Sequence, residues 1–130
     1  MLERWWKRKP VPLTGAPPVR RLKSYSAQSG YVYQYVYCGQ RTARDAAEFV
    51  FDASGDRKTY HPVSVFVHYQ AVAVWEDAHG RALVANERYA IAKMALFQAF
   101  DERSDPASMH APIHVDAAAV EATMRMLGLE

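Results

Sequence analysis

The sequence predicts an α+β protein in which an N-terminal antiparallel β-meander of about three strands packs against about three C-terminal helices. Residues 31–68 carry the period-two alternation of strands, whereas residues 70–127 repeat with the helical spacing of three and four. A third observation concerns the first 23 residues, which contain four of the seven prolines. Proline fixes φ and removes a hydrogen-bond donor, so this segment is expected to form an extended N-terminal arm.

Length and charge divide the chain into two parts. With 130 residues it has the size of one domain, which we divide into an arm at residues 1–23 and a globular body at residues 24–130. The arm holds seven Lys and Arg against one acid, a net charge of +6, and the body holds nine against thirteen, a net charge of −4. This asymmetry predicts an anionic partner for the arm, or an arm that folds back onto an acidic body.

The arm also contains two adjacent tryptophans beside cationic residues. Indoles left in water are costly, so docking on this body or on a second copy is the favoured interpretation. The phosphates of a nucleic acid and an anionic membrane surface are alternatives to which we give less weight. The residues expected to contact the partner are Trp5, Trp6, Lys7, Arg8, Lys9, Arg20 and Arg21.

The first strand is predicted at residues 31–38, where four tyrosines alternate with smaller residues. Alternation places the tyrosines on one face and Val32, Gln34, Val36 and Cys38 on the other, and the sequence leaves open which face the helices cover. Ordinary strand packing explains this pattern and is the favoured interpretation. The other interpretation is a ligand surface formed by Tyr31, Tyr33, Tyr35 and Tyr37.

Two more strands are predicted at residues 47–52 and 58–68, with turn residues at 54–57 between them. The links are too short for a crossover helix, so the pairing should be antiparallel. Pro62 donates no ladder hydrogen bond, which places the start of the third strand at an edge or delays its pairing. Residues 63–67 also fit the start of a helix, and we prefer the strand.

Three helices are predicted after the strands. The first covers residues 70–79 and ends at Gly80, the second follows an N-cap at Asn86, and the third follows an N-cap at Asp116. The second helix has apolar residues beyond its main face, which either the last helix or another subunit must cover. Its candidate subunit interface in a homodimer is Ile91, Met94 and Phe97.

No catalytic, phosphate-binding or cofactor motif stands out, and we expect no cofactor and no metal. His110 and His114 have the spacing of a helical metal site, but Pro112 between them disfavours the helix that such a site needs. His61 and His68 are separated by an odd number of positions and should face opposite sides of their strand. Cys38 is expected to be a small, buried hydrophobic residue.

These observations favour a non-catalytic binding or assembly module whose basic arm reaches a partner or a second subunit. The alternative is a small ligand-binding or enzymatic domain with a polar pocket between sheet and helices. The lining of that pocket would come from Tyr33, Tyr35, His61, His68 and Arg88. The sequence shows neither a signal peptide nor an apolar run that could span a membrane, which predicts a cytoplasmic protein.

Overall fold

A computed structural model describes residues 11–130 and shows one mixed sheet of five strands with three helices. The strands are β1 (Lys23–Ser26), β2 (Val32–Ala43), β3 (Ala46–Ser54), β4 (His61–His68) and β5 (Ile113–Val115). The helices are α1 (Tyr69–His79), α2 (Ala85–Glu102) and α3 (Ala117–Met126), and a 3₁₀ turn occupies Pro106–His110. The α+β class predicted from the sequence is confirmed.

The sheet has two more strands than the sequence predicted. Strands β1 to β4 form an antiparallel meander, and β5 pairs with β4 in parallel at the opposite edge from β1. A parallel neighbour requires a long crossover, which α1, α2 and the 3₁₀ turn supply. The two missed strands contain only four and three residues, too few for a period-two pattern to show.

The helices cover the tyrosine face of the sheet. Tyr33 and Tyr35 are 1% and 4% exposed, and they pack with Phe51 of β3 and Phe100 of α2 in one core. The odd-numbered residues of β3 and β4 point the same way, so the core receives side chains from three neighbouring strands. The open question about the tyrosine row therefore has an answer: most of it is core.

Residues 63–68 form a strand, which confirms the preferred prediction for this segment. Val63, Val65 and Val67 are buried while their even-numbered neighbours are half-buried on the other face. Helix α1 begins directly after this strand and ends at Gly80, whose φ of +70° matches the predicted left-handed stop. Asp116 caps α3 as predicted, because its Oδ1 accepts a hydrogen bond from the amide of Ala119 at 2.9 Å.

The predicted N-cap of the second helix was wrong. Helix α2 begins at Ala85 with Val84 at the N-cap position, so Asn86 lies inside the first turn. The side chain that closes this turn belongs to Glu87, whose Oε1 accepts from the amide of Val84 at 3.0 Å. Glu87 also pairs with Arg81 at 2.9 Å, so its carboxylate is held at the start of the helix by two partners.

Residues 11–22 run along the exposed edge of β2. Thr14 and Gln40 form an antiparallel bridge there, with N···O distances of 2.9 and 2.8 Å. A Cβ at Gly39 would meet the Thr14 carbonyl oxygen at 2.8 Å, so glycine permits this close approach. Arg20 binds the carboxylate of Asp52 at 3.1 Å, which means that this part of the predicted arm contacts its own body.

None of the helices within residues 11–130 is both long enough and apolar enough to cross a bilayer.

Candidate functional site

One end of the sheet carries a hydrogen-bonded loop between β3 and β4. The Asp56 carboxylate accepts hydrogen bonds from the amides of Lys58 and Thr59, both at 2.8 Å, and from the Ser54 hydroxyl at 2.9 Å. These donors hold the pKa of Asp56 at about 2, and the two backbone amides have the largest effect. The loop is therefore closed around a carboxylate that stays ionised in neutral solution.

The 3₁₀ turn packs directly on this loop at Gly55. A Cβ placed on Gly55 would lie 2.4 Å from Cγ and 2.7 Å from Cβ of Pro106, so only glycine allows the contact. Arg103 anchors the turn from the other side, because its guanidinium donates to the carbonyl oxygens of Ser108 and Ala111 at 2.9 and 2.8 Å. Two loops that are distant in sequence are thus joined at a fixed separation.

A two-part cavity lies between these loops, which we call the Tyr–His pocket. Its mouth has a volume of about 360 Å³ and is lined by Tyr31, Asp56, Thr59, Ala107 and the two histidines His61 and His110. Its throat has a volume of about 20 Å³ and shares Gly55, Pro106 and both histidines with the mouth. The throat adds Tyr33 and a wall of small or apolar side chains.

Tyr33 lines the throat, and its hydroxyl is buried and has no hydrogen-bond partner. Its ring stacks on Phe100 with centroids 4.1 Å apart. Burial raises the pKa of Tyr33, so the hydroxyl keeps its proton and can donate. An unpaired buried polar group costs about 1–3 kcal/mol, which makes this oxygen the least satisfied feature of the pocket.

One other buried polar side-chain atom in residues 11–130 lacks a partner, the indole Nε1 of Trp75. Its surroundings are different, because the His79 ring stacks on the indole with centroids 4.3 Å apart. The Arg81 guanidinium lies 4.9 Å from the ring centroid. The faces of the indole are thus covered by His79 and Arg81, whereas Tyr33 lines the throat of the cavity.

His61 and His110 stand between the mouth and the throat. His61 comes from the start of β4 and His110 from the end of the 3₁₀ turn, and their ring centroids are 4.2 Å apart at a tilt of 50°. A neutral imidazole offers one donor and one acceptor. The pocket therefore combines two adaptable imidazoles with one buried hydroxyl that needs a partner.

A second histidine pair lies at the other end of β4, on the face away from the helices. His68 Nε2 and His114 Nδ1 are 2.9 Å apart, with ring centroids at 5.1 Å and an interplanar angle of 23°. The centroid separation is nearly the longest that this N···N distance allows, so the rings lie end to end and share a proton in an N–H···N bond. Asp45 Oδ1 lies 3.8 Å from His68 Nδ1.

The sequence correctly placed His61 and His68 on opposite faces but grouped them in one ligand surface. The structure pairs His61 with His110 and His68 with His114. His110 and His114 therefore do not pair with each other, despite their spacing in the sequence. Arg88 also lies apart, since its guanidinium donates to the Leu83 carbonyl oxygen at 2.6 Å. Of the predicted pocket residues, Tyr33 and His61 line the cavity.

The remaining predicted residues fall in three places. Tyr37 is half-buried against Tyr89, with ring centroids 4.8 Å apart, and Cys38 is half-buried, with burial raising the pKa of its thiol. Ile91 is fully buried inside the chain, so its side chain cannot face another subunit. Trp5, Trp6, Lys7, Arg8 and Lys9 lie outside the described residues, and Arg21 is exposed.

A groove of about 350 Å³ runs between α2, α3 and β1, which we call the α2–α3 groove. Met94, Phe97 and Met126 contribute its apolar surface, and Asp101 and Glu102 contribute acidic groups. The Phe97 ring also stacks on Tyr25 with centroids 4.3 Å apart. The predicted interface residues Met94 and Phe97 thus line an open groove.

Three side chains of metal-binding type approach one another elsewhere, with candidate ligand atoms of His79, Glu121 and Glu130 within 4.8 Å. His79 Nε2 is already 2.9 Å from Glu121 Oε2. The Arg125 guanidinium lies 3.5 and 3.6 Å from the two carboxylates. These three side chains therefore interact with one another and with the Arg125 guanidinium, which supplies the positive charge.

The sequence missed Gly55, Asp56, Thr59, Pro106 and His110 as members of one site. The turn chemistry of residues 54–57 was visible, but nothing in the sequence places it beside a 3₁₀ turn fifty positions later. No family model, curated protein or solved structure is significantly similar to this chain. The geometry of the site is therefore the only guide to function.

Proposed function

We propose that this protein is a small-ligand-binding domain whose site is the Tyr–His pocket. The observation that supports this function is the buried, partnerless hydroxyl of Tyr33, a residue that lines the throat behind an open mouth. Ligand sites are commonly mostly apolar cavities of roughly 300–1,000 Å³ with a few converging polar groups. The mouth falls at the lower end of that range.

The throat defines which end of a ligand enters first. Its volume of about 20 Å³ accommodates one water or a single substituent atom. The Tyr33 hydroxyl can donate a hydrogen bond, so the atom that fits is an acceptor such as a carbonyl or carboxylate oxygen. A ligand with such an oxygen at one end satisfies the group that the apo protein leaves unpaired.

The mouth defines the rest of the ligand. Aromatic and imidazole rings from Tyr31, His61 and His110 line it together with Pro106 and Ala107, and Asp56 accepts its three loop hydrogen bonds at Oδ1. Flat, weakly polar groups pack well on such surfaces. The ligand class is therefore a small flat molecule, largely apolar, with one terminal acceptor oxygen.

The experiment compares two probes that differ at this end only, benzaldehyde and toluene, by amide chemical-shift titration of the full chain. We expect the aldehyde to bind about 5- to 10-fold more tightly, since a hydrogen bond contributes about 1 kcal/mol. The shifts should centre on residues 54–61 and 106–110. The variant Tyr33→Phe should abolish the difference between the probes.

Tyr35→Phe is the matched control, because Tyr35 is equally buried but does not line the pocket. It should leave both affinities unchanged. Equal binding of the two probes by the wild-type chain, or shifts that centre on another surface, would rule the proposal out.

A further inference from the structure

The α2–α3 groove is an apolar surface without a cover among residues 11–130. Its residue Met126 is 61% exposed, and the half-buried Met94 and Phe97 lie beside it. Exposed apolar groups that cluster in a groove are typical of an interaction site, whereas single ones are ordinary. The groove is distinct from the Tyr–His pocket, with which it shares no lining residue.

The groove also carries uncompensated negative charge. Asp101 accepts hydrogen bonds from the Tyr25 hydroxyl at 2.8 Å and the Gln28 amide at 2.9 Å, and both donors are neutral. Glu102 accepts from the Gln98 amide group at 3.0 Å. Within residues 11–130, neither carboxylate has a Lys, Arg or His partner within ion-pair distance. An occupant of the groove should therefore be apolar and cationic.

One segment of this chain has that composition. Residues 1–10 contain the adjacent indoles of Trp5 and Trp6, with Arg4 before them and three consecutive cations at residues 7–9. Tryptophan and arginine are the side chains that most often anchor protein interfaces. We propose that residues 1–10 of a second copy of this chain dock in the α2–α3 groove, with the indoles on its apolar surface and the cations beside its carboxylates.

The position of Val11 argues for a second copy over the same one. Its carbonyl oxygen accepts from Arg41 Nη1 at 3.2 Å, near the far end of β2. The groove lies at the level of Tyr25, which pairs with Tyr33. Arg41 and Tyr33 are eight positions apart, about 26 Å along a strand. The six residues from Val11 back to Trp5 span at most about 21 Å, and they would have to pass around the sheet edge as well.

Docking in a second copy has a consequence for assembly. Each copy has one N-terminal segment and one groove, so two copies can exchange their segments reciprocally and close a two-fold dimer. The second contact then forms within the complex, which raises the overall affinity without any additional type of contact. The expected assembly is a dimer of twice 14.7 kDa.

The test uses the full chain and sedimentation equilibrium over a concentration series. The double variant Trp5→Ser/Trp6→Ser removes the anchors, and Met126→Glu places a charge in the groove at an exposed position where folding should be unaffected. Each variant should lower the self-association constant by about 30-fold or more, as loss of a main anchor does. Val74→Glu also introduces a charge at an exposed apolar position, on α1, and should leave the self-association constant unchanged.

Mixing the two variants distinguishes exchange between copies from any contact within one copy. The tryptophan variant keeps an intact groove, and the Met126→Glu variant keeps an intact segment. The mixture should therefore associate as a 1:1 heterodimer through one good contact, and more tightly than either variant alone. A mixture that associates no more tightly than either variant alone overturns the proposal, as does a wild-type chain that is monomeric throughout or a dimer that both variants leave intact.

Discussion

The two histidine pairs at the ends of β4 have the same composition and opposite surroundings. His68 and His114 share a proton at 2.9 Å on the open face of the sheet, so one ring nitrogen of each already has a partner. His61 and His110 form no such bond, and Tyr33, whose buried hydroxyl is unpaired, lines the same throat. The first pair forms its own hydrogen bond, whereas the pocket around the second pair includes a buried donor that only an added molecule can satisfy.

This difference shows that residue type is a poor guide to a site in this fold. Each pair takes one histidine from β4 and one from residues 110–114, and both look alike in the sequence. What separates them is burial and hydrogen-bond satisfaction, because a buried donor without a partner has a free-energy cost that a ligand can remove. The following substitutions should alter one pair while leaving the other in place.

The largest effect is expected from Gly55→Ala. The added methyl group would lie 2.4 Å from Pro106, so the 3₁₀ turn must move away and His110 with it. Overpacking of this kind costs about 1–3 kcal/mol, measured as the free energy of unfolding in urea. Probe binding in the Tyr–His pocket should be lost. In the double variant Gly55→Ala/Pro106→Gly the clash is gone, so an undiminished loss of stability would contradict this explanation.

Tyr33→Phe should act in the opposite direction on stability. It removes the unpaired hydroxyl and retains the stacking on Phe100, so the free energy of unfolding should rise by about 1 kcal/mol. Tyr35→Phe, which lies in the same core, should not give this gain. Loss of stability in Tyr33→Phe would show that the hydroxyl is satisfied in solution, for example by a water in the throat.

His114→Ala should have a smaller effect, confined to the exposed pair. The bond between the two rings is solvent-accessible, and such contacts contribute less than about 1 kcal/mol. A double-mutant cycle with His68→Ala gives their coupling by urea unfolding. Probe affinity in the Tyr–His pocket should remain unchanged, whereas His61→Ala should lower it. An equal loss of affinity in both single variants would mean that the two pairs are not independent.

The smallest effect concerns the loop that supports the pocket. The Asp56 pKa in the folded chain, about 2, lies below its ordinary value near 3.8, so the carboxylate stabilises the fold above that ordinary value. This contribution is lost as the pH falls from about 4 towards 2. The stability difference between wild type and Asp56→Asn should therefore be largest at neutral pH and shrink over that window. A difference independent of pH would assign the effect to loop shape alone.

The sequence predicted the elements that are long enough to repeat. The alternation in residues 31–38 and 63–67 and the apolar spacing of α2 each extend over several periods, so their burial patterns were visible before any contact was known. The face that the helices cover was not visible, because both faces of β2 contain side chains that can be buried. Packing against Phe51 and Phe100 decides that question.

The candidate site could not be predicted from the sequence, for a different reason. Residue type and position near the sheet predict Tyr33 and His61, but their partners lie in a turn that begins at Pro106. The contact depends on a glycine without a positive φ, so Gly55 gives no conformational signal of its role. Only the arrangement in space reveals that this glycine makes room for a proline.

The short strand β5 has a consequence for the order in which the molecule folds. Ile113 pairs with Val65, which lies 48 positions earlier, whereas His61 pairs with Ala53 only eight positions earlier. Closing the longer loop costs more chain entropy, so β5 should join the sheet after the meander has formed. Since the 3₁₀ turn immediately precedes β5, the pocket is assembled in that late step. A ligand bound there should consequently slow unfolding and leave the rate of folding almost unchanged.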